Sequence, residues 1–273
     1  MAAGVARVVI ATRDPHAAAA GGLERLARAG VAVDLGLCSD QARWQLRGFL
    51  SRIERGRPWV RLKLAASLDG RTAMASGESQ WITGEAARND VQWLRAESDC
   101  VLTGIGTVLA DNPAMTVRLS AEALGTERVR QPLRALLDSE LRCPREARWL
   151  HEPGDTVIYT AVDKQVDMPT QVVRTERGEA GLSLPAVLAE LAQRELNFVH
   201  LEAGATLAGA ALVAGVVDEL VVYFAPALLG HAARPLALLP GLEKLSHAPR
   251  FTVRDLAQIG DDVRVVLIPQ TGD

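Results

Sequence analysis

Between residues 59 and 268, short apolar runs take turns with stretches of helical periodicity, and that alternation leaves the chain few architectures to adopt. Residues 59–66, 99–103, 133–138, 156–160, 171–175, 198–202 and 219–225 read as strands. Residues 85–98, 106–110, 184–194 and 207–215 read as helices between them. Parallel strands need crossover connections, so the pattern predicts an α/β fold with a mostly parallel sheet and helices on both faces. The last two runs, 251–256 and 263–268, are separated by only a short polar turn at 259–262 and predict an antiparallel hairpin at one sheet edge.

The segment before residue 55 is organised differently. Residues 5–11 read as a buried strand, 23–29 as a helix closed by Gly30, and 31–37 as a second strand, which makes a small β-α-β unit. Ser39 is placed to cap one amphipathic helix over residues 40–53, followed by a polar link to the next strand. The expected division is therefore 1–54 and 55–273. No internal repeat is visible, and the four alanines at 17–20 are the sole low-complexity run.

Composition excludes several classes of function. A formal net charge of -3 gives no general attraction to nucleic acid, and no apolar run is long enough to span a bilayer as a helix. The three cysteines, Cys38, Cys100 and Cys143, form no CxxC pair, so neither a disulfide framework nor a metal site is indicated. They are expected to be buried apolar residues. The first residues lack the pattern of a secretory leader, so the cytoplasm is the expected location. His16, His151, His200, His231 and His247 show no ligand spacing and read as structural or exposed.

Chemistry concentrates in a few segments. KLAASLDGRT at 63–72 carries a strand into a polar loop that continues as SGESQWIT at 76–83, although Asp69 and Gly70 also suit an ordinary hairpin turn. EAGATLAG at 202–209 ends a strand in a carboxylate and enters a helix through small residues, a place where backbone N–H groups meet anions. TGIGT at 103–107 imitates a dinucleotide fingerprint, but Leu109 stands where the third glycine belongs. Arg95 and Arg118 have the guanidinium forks that suit a phosphate, yet by position alone each also reads as a surface charge.

The pattern L-K-x-A-x-S-L-D-G-R-x-A-x-x-x-G-x-S-x-W-I-T resembles the reductase domain of the bifunctional deaminase/reductase family of riboflavin biosynthesis. The resemblance continues through residues 107–113, 201–204 and 217–220, covers roughly 55–270, and implies a dihydrofolate-reductase-like fold. Residues 1–54 resemble the tail of the family's cytidine-deaminase-like half. No Pro-Cys-x-x-Cys motif is present, so the expectation is a chain that does not deaminate.

The resemblance implies NADPH-dependent reduction of 5-amino-6-(5-phosphoribosylamino)uracil at the first ribose carbon. It places Ser79, Arg95, Met115, Arg118 and Glu202 on the substrate. Ala65, Trp81, Thr107, Asp111, Ser139 and the run Gly204, Ala205, Thr206, Leu207, Ala208, Gly209, Ala210 fall to the cofactor. Lys63 and Asp69 are candidates for proton transfer during ring opening, with Glu202 as a recognition carboxylate. Alternatives are a reductase acting on the diamino pyrimidinone, a pteridine or folate reductase on the same fold, and a non-catalytic nucleotide-binding scaffold. A homo-oligomer, in the first instance a dimer, is expected through the apolar hairpin at 263–268.

Overall fold

The computed structural model describes residues 3–16, 21–163, 166–179 and 181–270; the alanine run at 17–20 lies outside the described residues. In chain order the elements begin with β1 (Arg7–Ile10), α1 (Gly22–Arg28), β2 (Ala32–Leu35), α2 (Ser39–Gln45) and α3 (Arg47–Arg55). There follow β3 (Trp59–Ser67), β4 (Arg71–Ala73), α4 (Glu85–Ala96), β5 (Cys100–Gly104), α5 (Ile105–Asp111), α6 (Ala121–Leu124) and β6 (Leu133–Leu137). After these come α7 (Arg148–His151), β7 (Thr156–Thr160), β8 (Gln171–Arg174), β9 (Arg177–Gly178), β10 (Gly181–Leu182), α8 (Leu184–Gln193), β11 (Phe198–Glu202) and α9 (Ala205–Val213). The chain closes with β12 (Glu219–Ala225), β13 (Arg234–Pro235), β14 (Phe251–Ile259) and β15 (Asp262–Pro269).

The main sheet has nine strands in the order β14-β15-β12-β3-β11-β5-β6-β7-β8. From β12 to β8 every neighbouring pair is parallel, and β14 and β15 add an antiparallel edge. The expected α/β architecture is therefore present. Its faces follow from the two-residue period of a strand. Val60, Leu62 and Leu64 of β3, with Val199 and Leu201 of β11, join α8 and α9 in the larger core through Leu188, Leu191, Ala208 and Ala211. On the opposite face Val221 and Tyr223 pack against Ala87, Val91 and Leu94 of α4, while Val101 and Leu136 pack against Ile105 and Val108 of α5.

This distribution creates a crevice. The helix after β5 lies on one face and the helix after β11 on the other, although β5 and β11 are neighbours. Such a switch leaves an opening beyond the carboxyl ends of the two strands, where α/β proteins bind ligands.

Several expectations need correction. Residues 40–53 form two helices that break at Leu46, and Cys38 in left-handed geometry, not Ser39, precedes the first. The strand at 7–10 is not buried: β1 and β2 make a separate two-stranded parallel sheet, α1 contributes no buried residue, and Val5 and Val9 are exposed. A mere pair of strands with one small helix has too little apolar surface to cover. Cys100 and Cys143 are buried, but Cys38 is exposed. Finally, β15, the strand at 263–268, is hydrogen-bonded on both sides and cannot accept another strand; the open edge belongs to β14.

Candidate active site

At the carboxyl edge of the sheet, strand register sets Lys63 of β3 beside Glu202, the last residue of β11. Both side chains point to the face opposite the larger core, together with Arg61 and His200, because these positions alternate with Leu62, Leu64, Val199 and Leu201. Onto Glu202 comes Arg95 from the last turn of α4. Its Nε donates to Oε1 at 2.5 Å, its Nη2 to Oε2 at 2.8 Å, and its Nη1 to the Thr116 carbonyl at 2.9 Å. The fork is nearly closed to water: the Arg95 side chain is 9% exposed and Glu202 20%.

Electrostatics follow from this pairing. Burial alone would raise the Glu202 carboxyl, but the adjacent Arg95 charge and its two hydrogen bonds hold it well below the usual carboxylate range. Lys63 is lowered, chiefly by burial, with attraction to Glu202 acting against that shift. The site therefore holds a fixed carboxylate beside an amine whose proton is more easily given up than that of a surface lysine.

Arg118 occupies a different environment. Its backbone N–H donates to Gln92 Oε1 at 3.0 Å, while its exposed guanidinium makes no ion pair or hydrogen bond among the described residues. Partial burial and repulsion from Arg95 lower its pKa, with Glu202 acting in the opposite sense. Arg95 and Arg118 thus neighbour the same carboxylate, but Arg95 is occupied and Arg118 is open.

The start of α9 flanks this cluster. Gly204 precedes α9 in extended geometry, no side chain caps the helix, and a Cβ at Gly204 would meet nothing within 4 Å. The first N–H groups of α9, on Ala205, Thr206 and Leu207, are consequently available to an anion. Leu207 also packs against Gly104, where a Cβ would lie 3.2 Å from its Cδ2. Farther along α9 the roles diverge: Ala208 is buried in the core, Ala210 packs against it, and a Cβ on Gly209 would lie 1.8 Å from the Leu238 carbonyl. Gly209 is a close-packing residue.

The remaining residues are spread around the opening. Ser79 is half-buried and Trp81 exposed in the loop after β4, with the Arg88 guanidinium 4.5 Å above the Trp81 ring. Gln80 Nε2 donates to Asp111 Oδ1 at 3.3 Å, tying this loop to the end of α5, which also carries the half-buried Thr107. Ala65 lies on β3 against the α4 cluster, and Ser139 follows β6, its carbonyl accepting from Ala161 at 3.3 Å. Met115 is buried, its side chain packed with Val101 and Ile105.

Asp69 has a structural task. Its Oδ1 accepts from Ser67 at 2.5 Å and from the Leu229 N–H at 3.1 Å, and its Oδ2 from the Gly230 N–H at 2.8 Å. These bonds, that from Ser67 foremost, lower its pKa to about 2 and fasten the loop after β12 to the end of β3. Asp69 and Gly70 do form a turn, but β4 pairs with β13 instead of folding back as a hairpin on β3.

The sequence reading missed His200, whose isolated position gave no sign of a site. It is fully buried, with Nε2 3.2 Å from Glu202 Oε1. A separate surface cavity of about 670 Å³ lies at the opposite end of the strands, lined by Trp44, Arg47, Trp59 and Arg254. Its arginines stack on tryptophans, and it shares no residue with the cluster around Glu202.

Comparison with known proteins agrees with this geometry. The RibD C-terminal domain matches residues 58–265. The chain belongs to that family. The riboflavin biosynthesis protein RibD of Escherichia coli is 47% identical over 278 residues, covering 98% of this chain and 76% of that protein. Its counterpart in Haemophilus influenzae is 42% identical, covering 98% and 74%. Among solved structures, Acinetobacter baumannii RibD superposes with a TM-score of 0.87 at 40% identity, covering 99% of this chain and 74% of that one. The Thermotoga maritima diaminohydroxyphosphoribosylaminopyrimidine deaminase/5-amino-6-(5-phosphoribosylamino)uracil reductase gives a TM-score of 0.85 at 26% identity, covering 98% and 73%. As a RibD-family reductase domain, the chain is an enzyme that acts on a small molecule. Among the described residues no helix is long and apolar enough to cross a membrane.

Proposed function

We propose that this chain reduces 5-amino-6-(5-phosphoribosylamino)uracil to its phosphoribitylamino product with NADPH as hydride donor. The observation that carries this reading is the fixed Glu202 carboxylate beside Lys63, set between the uncapped start of α9 and the open Arg118 guanidinium. Family membership and the reductase named for the Thermotoga relative supply the substrate class.

The α9 start fits a pyrophosphate because its amides are uncapped and Gly204 leaves the approach open. With its pyrophosphate held there, NADPH would supply the hydride that reduces the first ribose carbon. The chain's own residues divide the remaining work. Arg118 meets the substrate phosphate, since guanidinium donors match its oxygens. Glu202 accepts from a pyrimidine N–H, with Arg95 holding its orientation. Lys63 gives a proton to the departing ring oxygen, a step its lowered pKa favours. Trp81 and Thr107 would contact the cofactor, and Ser79 the substrate.

The test is oxidation of NADPH by the purified protein with the uracil substrate, in wild type and in Arg118→Ala. The wild type is expected to turn over, and the variant to raise the substrate KM by about 10- to 100-fold, the loss anticipated for a charge-assisted phosphate contact. With dephosphorylated substrate the two proteins should converge. No turnover by the wild type overturns the reading, and an unchanged KM in the variant removes Arg118 from the phosphate.

A further inference from the structure

Glu202 has a neighbour that hydride transfer does not call for. His200 lies two residues upstream on β11, so its imidazole projects to the same face as the Glu202 carboxylate. It is 0% exposed, and strand pairing sets it between Arg61 of β3 and Val101 of β5. Its Nε2 is 3.2 Å from Glu202 Oε1, within hydrogen-bond distance but poorly directed, and neither ring nitrogen makes a well-formed hydrogen bond among the described residues.

Two buried ring nitrogens without partners are costly, and leucine or another apolar side chain would avoid the penalty. Arg61 does not relieve it: its Nε donates to Glu219 at 2.9 Å and its Nη1 to Glu97 at 3.1 Å, and it forms no bond to the ring. The acceptor on that side is Glu202. Burial lowers the His200 pKa, Glu202 acts against that shift, and the cationic Arg61 and Arg95 add to it, so the balance favours the neutral ring. A neutral imidazole carries one N–H, and the Nε2–H tautomer puts it on the nitrogen that lies 3.2 Å from Oε1.

We propose that His200 is a positioning residue for Glu202, donating from Nε2 to Oε1 and completing, with the Arg95 fork, a grip that orients the carboxylate toward the pyrimidine. This rests on the reading that Glu202 recognises substrate. Oε1 then takes Arg95 Nε and His200 Nε2, Oε2 takes Arg95 Nη2, and the lone pair left on Oε2 is fixed in direction for the substrate. Contacts of this kind are commonly long without ligand and tighten in the complex.

The experiment compares His200→Leu and His200→Gln with wild type. His200→Leu removes the donor and both unsatisfied nitrogens; it is expected to keep or raise Tm while increasing the KM for the uracil substrate about 3- to 10-fold, with kcat and the NADPH KM within about twofold. His200→Gln restores an N–H and is expected to recover most of the lost affinity. A purely structural histidine gives a different result: a lower Tm with kinetic constants unchanged, or equal losses in both variants, and either overturns the proposal.

An activity-independent arm separates this idea from the site reading. The His200 ring nitrogens, followed by 15N NMR, are expected to show the Nε2–H tautomer and to shift in Glu202→Gln. Unshifted resonances overturn the His200 contact. A shift accompanied by an unchanged substrate KM in Glu202→Gln leaves the contact standing and removes Glu202 from substrate recognition.

Discussion

At the scale of single residues, the Arg95–Glu202 fork is the feature on which the site depends, and sequence alone could not show it. Its partners are separated by 107 positions, and an arginine in the last turn of a helix ordinarily serves the helix dipole or the surface. Only the fold makes the carboxylate its neighbour. Lys63 and Glu202 were legible through the family motif; His200 was not, because a lone histidine in an apolar strand carries no spacing signal. The fork has consequences for stability. The Glu202 pKa is depressed in the folded protein, so its contribution is present above the unfolded carboxylate range and is lost as pH falls through the folded value. Thermal unfolding followed from pH 7 to pH 3 should therefore show a decline in Tm that is shallower in Glu202→Gln, although that variant starts from a lower Tm because it leaves the Arg95 charge buried. Arg95→Lys keeps the charge and loses the fork, and it is expected to raise the substrate KM about 10-fold with a smaller change in kcat. Lys63, lowered by burial, should impose a fall in kcat/KM on the alkaline side below the ordinary lysine range.

Among the elements, α9 shows how one glycine-rich segment divides its labour. Gly204 stands in open space at the helix start, whereas Gly209 lies so close to the Leu238 backbone that any Cβ collides with it. In the sequence the two glycines look alike. The substitutions Gly204→Val and Gly209→Ala separate them: the first is expected to raise the NADPH KM about 10-fold with little change in Tm, since the intruding methyls occupy the approach to the helix amides. The second should lower Tm and expression, with the NADPH KM of the folded fraction nearly unchanged, because the Leu238 segment must move. Equal effects of the two variants on the NADPH KM would remove the α9 start as the cofactor's anchor. The parallel strands were legible as short runs dominated by apolar residues, as burial on both faces requires, with Arg61 and Lys63 of β3 and His200 and Glu202 of β11 as polar positions on one face. What escaped were features decided by distant partners: the break at Leu46, the β4–β13 pairing, and the closure of β15 between β12 and β14.

Across the whole molecule, the site and the N-terminal segment lie at opposite ends of the strands, and a cluster around Asp218 joins that segment to the sheet. Asp218 precedes β12; its side chain is 6% exposed and accepts from Arg55 Nη1 at 2.8 Å, from Arg57 Nη1 at 2.6 Å and Nη2 at 2.8 Å, and from the Val60 N–H at 2.8 Å. Arg52 adds a bond to Asn197 Oδ1 at 2.7 Å, and Glu219 accepts from Trp59 Nε1 at 3.1 Å and from Arg61 Nε at 2.9 Å. The end of α3 and the starts of β3 and β12 are therefore held by a nearly buried carboxylate. Removing such a group leaves two partly exposed guanidinium groups without their counter-ion and the buried Val60 N–H without its acceptor, a loss of about 1–3 kcal/mol. Asp218→Ala is accordingly expected to lower Tm by several degrees and to expose the link at 55–58 to limited proteolysis. The edge proposed for catalysis is built from the other ends of these strands and from α4 and α9, so kcat and both Michaelis constants measured well below the lowered Tm should stay within about twofold of wild type. A proportional collapse of kcat at low temperature would mean that the two ends of the sheet are mechanically coupled, and that the N-terminal helices set the geometry of Lys63 through β3.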